Sequence, residues 1–189
     1  MFIMDTSNTP SNQSRNTPVW NTILRHGSYA AGAFVVFSLL TYLVNFNLMS
    51  FSGIAVLYGA MFIIGFVFAS MAIRYQRDQL DDGYISYGKA LLIAMFTVLI
   101  GMFVSGLWNY VLINFIDPNY VATLKEQFVE TWGGSMPPEA LEQALEGFDK
   151  SGDLVSNLKS SLIGGLVVGL IVGLITAAFM KKQPEMNIR

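Results

Sequence analysis

The chain has no cysteine among its 189 residues. That excludes a disulfide framework, thiolate metal sites and a cysteine nucleophile. It has one histidine, His26, which removes two-histidine metal sites and most imidazole relays. Charge is scarce as well. Eleven Lys and Arg stand against 13 Asp and Glu, a net charge of -2, so nothing points to nucleic acid as a partner. Above all, Asp, Glu, Lys and Arg are absent from three long runs, 26–73, 90–116 and 160–180.

Those runs are what the sequence has in place of charge. A bilayer core about 30 Å thick needs roughly 20 apolar residues per helical span. The first run is long enough for two spans with a turn between them, and the others hold one each. The expected fold is all-α: a polytopic membrane protein with four transmembrane helices at about 27–48, 53–73, 90–116 and 160–180. An amphipathic helical insertion at 117–153 lies between the third and fourth. The membrane domain then covers 26–182. Residues 1–25 and 183–189 read as cytoplasmic tails, the first disordered, because 1–21 is rich in Ser, Asn, Thr and Pro and lacks the basic start and short apolar core of a signal peptide. Such a chain leaves no room for a large soluble domain.

Basic residues set the orientation. Arg15, Arg25, Arg74, Arg77, Lys89, Lys181, Lys182 and Arg189 fall on one face, and only Lys125, Lys150 and Lys159 on the other, among eight acids. The positive-inside rule places the richer face, with both termini, in the cytoplasm. Lys159 counts against this but can snorkel to the interface.

Within the insertion, Asp117-Pro118 reads as a helix start, with Asp at the N-cap and Pro at the first helical position. Tyr120, Val121, Leu124, Phe128 and Trp132 then recur at helical spacing. Gly133-Gly134-Ser135 breaks that helix, Pro137-Pro138 opens another, and Ser151-Gly152 ends it. Leu141, Leu145 and Phe148 lie on the second stripe, while Glu139, Glu142 and Glu146 face water and are candidates for docking a partner. Both helices are too short to stand alone. Their stripes are expected to pack on each other and on the outer ends of the spans.

The last span carries Gly165, Gly169 and Gly173 four apart on one face. Such a stripe makes a flat groove for close helix packing, within the chain or between chains. A weak repeat relates 26–30 (HGSYA) to 87–90 (YGKA). Two hairpins of the same orientation or chance similarity would account for it equally well. Asn109 and Asn114 near the end of the third span, beside Trp108 and Tyr110, either line a polar cavity or lie at the outer interface.

From Gly83 to Lys182, four features run in order: Gly83-Tyr-Ile-Ser-Tyr-Gly-Lys-Ala90, Asn114-Phe-Ile-Asp-Pro118, an acidic Pro-Glu-Ala-Leu-Glu-Gln-Ala-Leu helix, and a glycine-rich span closed by Lys181-Lys182. The chain resembles, over about 18–183, the membrane family called domain of unknown function 4199, found mainly in bacteria of the Bacteroidetes group. The resemblance implies a four-span inner-membrane protein and carries no activity, cofactor or site.

Searching for chemistry returns little. There is no Gly-x-Ser-Gly with a histidine, no paired intramembrane aspartates and no His-Glu-x-x-His. No span has an ionisable residue in its middle, where proton and ion pathways usually mark themselves. No catalytic, cofactor-binding or metal constellation is expected, and the chain is not expected to be an enzyme. The leading expectation is a non-catalytic scaffold or accessory subunit in the lipid bilayer, with a membrane-protein partner or a second copy of itself. The alternative is a small-solute or lipid-handling transporter or channel acting as an oligomer, with Asn109 and Asn114 near its pore.

Overall fold

A computed structural model describes residues 18–182. Of the two expected tails, 1–17 and 183–189 lie outside the described residues. The described chain is helical: α1 (Val19–Leu43), α2 (Phe51–Tyr75), α3 (Tyr87–Val111), α4 (Tyr120–Trp132), α5 (Pro138–Lys150) and α6 (Leu154–Met180). Wide π-helical turns, Gln76–Leu80 and Leu112–Ile116, extend α2 and α3. With these extensions, α1, α2, α3 and α6 run 25, 30, 30 and 27 residues and are long and apolar enough to cross a membrane. At 1.5 Å per residue, even the shortest spans about 38 Å.

The helices begin where side chains can satisfy free backbone N–H groups. Ser50, Ser86 and Asp153 accept from the amides of Gly53, Lys89 and Ser156 at the starts of α2, α3 and α6. Between α1 and α2 the chain turns tightly. Asn47 Oδ1 accepts from the amides of Met49 and Ser50, both at 3.0 Å. A Cβ on Gly53 would sit 2.0 Å from the Asn47 carbonyl oxygen, so this turn requires glycine.

In the bundle α3 touches α1, α2 and α6, and α2 touches the same two outer helices; α1 and α6 stand at opposite corners. The core is made of small residues. Ala30, Ala69, Ala72, Ala90, Ala94 and Ala177 are wholly buried, with Ile73, Ile93, Val98 and Val172 among them. Lipid tails are as apolar as leucine, so polarity does not drive spans together; close van der Waals packing does, and small residues permit it. The large apolar side chains point outward instead. Leu40, Ile63, Val67, Ile163 and Leu170 are exposed, the pattern suited to a hydrocarbon surround.

The charge-free runs misplace several helix ends. α1 starts at Val19, so 19–25 belong to the first helix and not to the N-terminal tail, and Thr22 and Ile23 are buried. Arg25 is compatible with this because it reaches back over the Tyr75 ring, 5.1 Å from its centroid. α1 also ends at Leu43, short of 48. α6 starts at Leu154 and carries Lys159 on an exposed face. α4 begins at Tyr120, after a turn in which Asp117 Oδ1 accepts from the Asn119 amide at 3.1 Å. Asp117 and Pro118 therefore precede the helix and do not cap it. The weak repeat does not extend to packing. A Cβ on Gly27 would press on Ile100 at 3.0 Å, whereas one on Gly88 would meet nothing within 4 Å.

Candidate functional site

The bundle has two polar ends. At one lie the starts of α1 and α3 and the ends of α2 and α6. Here Thr22 donates to Gln76 Oε1 at 2.6 Å, Gln76 Nε2 donates to Asp81 Oδ1 at 3.2 Å, and Lys89 pairs with Asp81 at 2.7 Å. Gln76 is wholly buried, and the π-helical turn that begins with it aims it inward. His26 Nδ1 lies 2.9 Å from the Thr22 carbonyl oxygen; a carbonyl only accepts, so this nitrogen carries the proton. Arg77 donates to the Met180 carbonyl at 3.3 Å, where α6 ends. A two-residue bridge joins Ile85 and Lys182. These bonds tie all four long helices together at this end.

At the other end sits the α4–α5 hairpin. Trp132 Nε1 donates to the Met49 carbonyl at 2.9 Å, and its ring lies 4.6 Å from that of Phe51. The Tyr42 hydroxyl donates to Asp117 at 3.3 Å, with its ring edge-on to Tyr120. Burial pushes the Tyr120 phenol up. Within the hairpin, Phe128 packs edge-on against Phe148, and Lys125 pairs with Asp149. The two stripes thus meet each other and the neighbouring ends of α1 and α2. Leu124, Leu141 and Leu145 are half-buried, and no residue of α4 or α5 is fully buried. Glu139, Glu142 and Glu146 are exposed. Glu146 pairs with Lys150, at 3.4 Å.

Beneath the hairpin lies a cavity of about 320 Å³. Five serines and two asparagines line it: Ser105 and Asn109 from α3, Ser151 after α5, and Ser156, Asn157, Ser160 and Ser161 from α6. Phe34, Met61 and Met102, from three different helices, also line it and are its apolar side. Asn157 is 8% exposed; its Nδ2 donates to the Ser151 carbonyl at 3.2 Å, while its Oδ1 has no partner among the described residues. Gly106 makes this approach possible, since a Cβ there would fall 1.9 Å from Ser161 Oγ.

The expected glycine stripe faces α3 of the same chain. A Cβ on Gly165 would meet Leu99 Cδ1 at 2.9 Å, one on Gly169 the Met95 carbonyl oxygen at 2.8 Å, and one on Gly173 Leu91 Cδ1 at 2.9 Å. The two asparagines of α3 and its extension separate. Asn109 lines the cavity. Asn114 is exposed and bridges the Tyr110 and Gly152 carbonyls at 2.9 and 3.2 Å. The cluster Ser156, Asn157, Ser160 and Ser161 does not stand out in the sequence beside the glycine stripe. Its signal is nevertheless there: those spacings share one helix face, as do Ser105 and Asn109 four apart. Among the described residues, no three His, Asp or Glu side chains gather as a metal-holding group.

A family model described as Protein of unknown function (DUF4199) matches residues 25–182. The chain belongs to this family. No curated protein and no solved structure matches it. The match covers α1 from Arg25 onward, the other three long helices, α4, α5 and the cavity, so both polar ends fall within the family's own span apart from the first turns of α1 with Thr22.

Proposed function

We propose that this DUF4199 member is a non-catalytic scaffold or accessory subunit of the bacterial inner membrane, with both termini cytoplasmic and the α4–α5 hairpin outside as its docking element. One observation carries the reading. The apolar stripes of the hairpin are engaged by each other and by α1 and α2, which leaves the acidic face of α5 (Glu139, Glu142 and Glu146) turned outward. A basic partner surface complements that face, and like charge disfavours an anionic lipid surface there. Transport fits less well. The cavity meets Phe34, Met61 and Met102, and beyond them Ile93, Val98 and Val172 are packed to zero exposure.

Replacing all three glutamates with lysine tests docking, read by affinity purification in mild detergent. Partners are expected to be lost while the protein stays inserted and monodisperse. If they persist through that change and leave only with a packing variant such as Phe128→Asp, the hairpin is a structural cap and the docking reading fails. Reporter fusions after Gln79 and Lys182 are expected to read as cytoplasmic and one after Gly134 as external; an external signal at Lys182 overturns the orientation.

A further inference from the structure

At the end of the bundle opposite the hairpin, a groove of about 420 Å³ opens between α2 and α6. That is within the range of ligand pockets, about 300 to 1,000 Å³. Phe66, Val67 and Met71 line it from α2, and Phe179 and Met180 from α6. Its two hydroxyls are not offered to an occupant. Thr176 donates to the Val172 carbonyl at 2.8 Å, and Ser70 Oγ is itself buried. Phe179 is 82% exposed, so one wall of the groove has no cover from the chain. The surface is made for hydrocarbon.

Hydrocarbon alone would make the groove ordinary lipid-facing surface. Arg74 sets it apart, as the one charged residue of the lining. Val67, Ser70, Met71 and Arg74 share one face of α2 by their spacing, and Arg74 comes last, a residue short of the end of α2. Most other cations at this end are engaged. Lys89 pairs with Asp81 at 2.7 Å, and Arg77 holds both Asp78 oxygens, at 2.6 and 3.1 Å. Arg25 lies over the Tyr75 ring and Lys182 over that of Tyr84. Arg74 is exposed and forms no ion pair among the described residues. Lys181, the residue after α6, is exposed and likewise without one.

Helix C-termini carry partial negative charge, which would oppose an anion here. Both ends are answered. Arg77 donates to the Met180 carbonyl at 3.3 Å, and α2 runs on through its π-helical turn to Leu80, which carries its free carbonyls past Arg74. The charge of Arg74 is left for an outside partner. A guanidinium fork matches phosphate in two parallel hydrogen bonds, and basic pockets between spans at headgroup level suit anionic lipid heads. A free anion would use Arg74 and leave the groove bare. A neutral lipid would fill the groove and leave Arg74 unanswered. We propose that the groove between the ends of α2 and α6 seats one anionic glycerophospholipid, with an acyl chain along Val67, Met71 and Phe179 and the phosphate held by Arg74. Lys181 adds to the positive field around it. The inference needs the four long helices to cross a membrane, but neither partner docking nor a particular orientation.

The test is thermal unfolding of the full chain in a mild non-ionic detergent. Phosphatidylglycerol, phosphatidylcholine with the same acyl chains, and inorganic phosphate are titrated separately. A ligand that binds the folded state raises the melting midpoint until its site saturates. The expected result is a saturable rise with phosphatidylglycerol, at lipid fractions where phosphatidylcholine gives none. Arg74→Gln, at an exposed position, is expected to raise the half-saturating fraction about tenfold, the size of a lost hydrogen bond to a charged group. Met71→Trp fills the groove while keeping Arg74, and is expected to weaken the rise as well. Lys150→Gln removes a cation at the opposite end and leaves the rise unchanged. Equal rises with the two lipids overturn the proposal, as does Arg74→Gln matching wild type, saturation by inorganic phosphate, or no saturable rise at all. So does a loss in Arg74→Gln with Met71→Trp unaffected, since the charge is then read without the groove. Partner capture by the hairpin plays no part in this readout, so the two readings fail separately.

Discussion

Gly169→Ala is the most incisive perturbation of the bundle, because helix propensity and packing act on it in opposite directions. Inside a helix, glycine to alanine normally gains about 1 kcal/mol, since alanine has less conformational freedom to lose. At Gly169 the new methyl would stand 2.8 Å from the Met95 carbonyl oxygen and 3.5 Å from that residue's Cα and carbonyl carbon. Ordinary contact begins at 3.4 Å. The shortfall of 0.6 Å (3.4 less 2.8) cannot be met by a rotamer change, because a Cβ is fixed to its own backbone and the atom it meets is backbone. α6 must move off α3 as a body, and that loosens the contacts of Gly165 with Leu99 and Gly173 with Leu91.

Overpacking of this kind typically costs about 1–3 kcal/mol. Set against the propensity gain, the net loss is about 0–2 kcal/mol. In a chain of this size, that lowers the melting midpoint by up to roughly 8 °C. Gly165→Ala and Gly173→Ala are expected to lose less, because the first atom each meets is the tip of a leucine side chain, which can rotate away. Gly32→Ala, with nothing within 4 Å, is expected to melt at or above wild type. Far-UV circular dichroism in one detergent, with all four variants side by side, gives the ranking. If Gly169→Ala melts with or above Gly32→Ala, the α6 stripe is not held against α3 and the packing described above is wrong.

Three further outcomes follow from the two polar ends. Gln76→Leu removes the partner of the buried Thr22 hydroxyl and is expected to cost about 1–3 kcal/mol; adding Thr22→Val restores part of that loss, and a double-mutant cycle measures it. Trp132→Ala deletes the Met49 hydrogen bond and the Phe51 contact, so limited proteolysis at Gly133–Ser135 is expected to speed up while the melting of the spans hardly changes. Asp153, whose carboxyl is held below the usual carboxylate range by its hydrogen bonds from Ser156, stabilises the start of α6 only while ionised. Its folded value lies below its unfolded one, so the contribution is full above the unfolded value and fades as pH falls through the folded one. Protease sensitivity at 150–154 should rise on acidification and lose that pH dependence in Asp153→Asn.

The four spans were legible because charge is so costly in hydrocarbon that a run of roughly 20 residues without it marks a helix built for the bilayer. The helix α5 was legible for the opposite reason: Glu139, Glu142 and Glu146 separate from Leu141, Leu145 and Phe148 at helical spacing. Helix ends were less legible. A run of uncharged residues marks where charge is forbidden, not where hydrogen bonding stops, and α1 continues through Arg25 back to Val19. The turn that demands Gly53 could not be anticipated either, because its demand comes from the Asn47 carbonyl, a backbone group with no sequence signature.

Which helix sits at the centre is harder still, and the reason is physical. In water, burial and polarity go together, so an apolar stripe points to the core. In a bilayer both the core and the surround are apolar, and Ile93 at zero exposure and Ile163 well exposed read alike. Only side-chain size separates them: the faces that meet are where Ala and Gly accumulate. α6 shows this openly with glycines at a regular spacing, but the surface it packs on in α3 is built from Leu91, Met95, Leu99 and Met102, large residues with no mark of their own. The same argument explains the cavity. Ser156, Asn157, Ser160 and Ser161 are the polar exception on a helix otherwise read by its glycines, and a polar group facing the inside of a membrane bundle is costly unless something partners it. The serines can turn to neighbouring carbonyls. Asn157 does so through its amide, which donates to the Ser151 carbonyl at 3.2 Å.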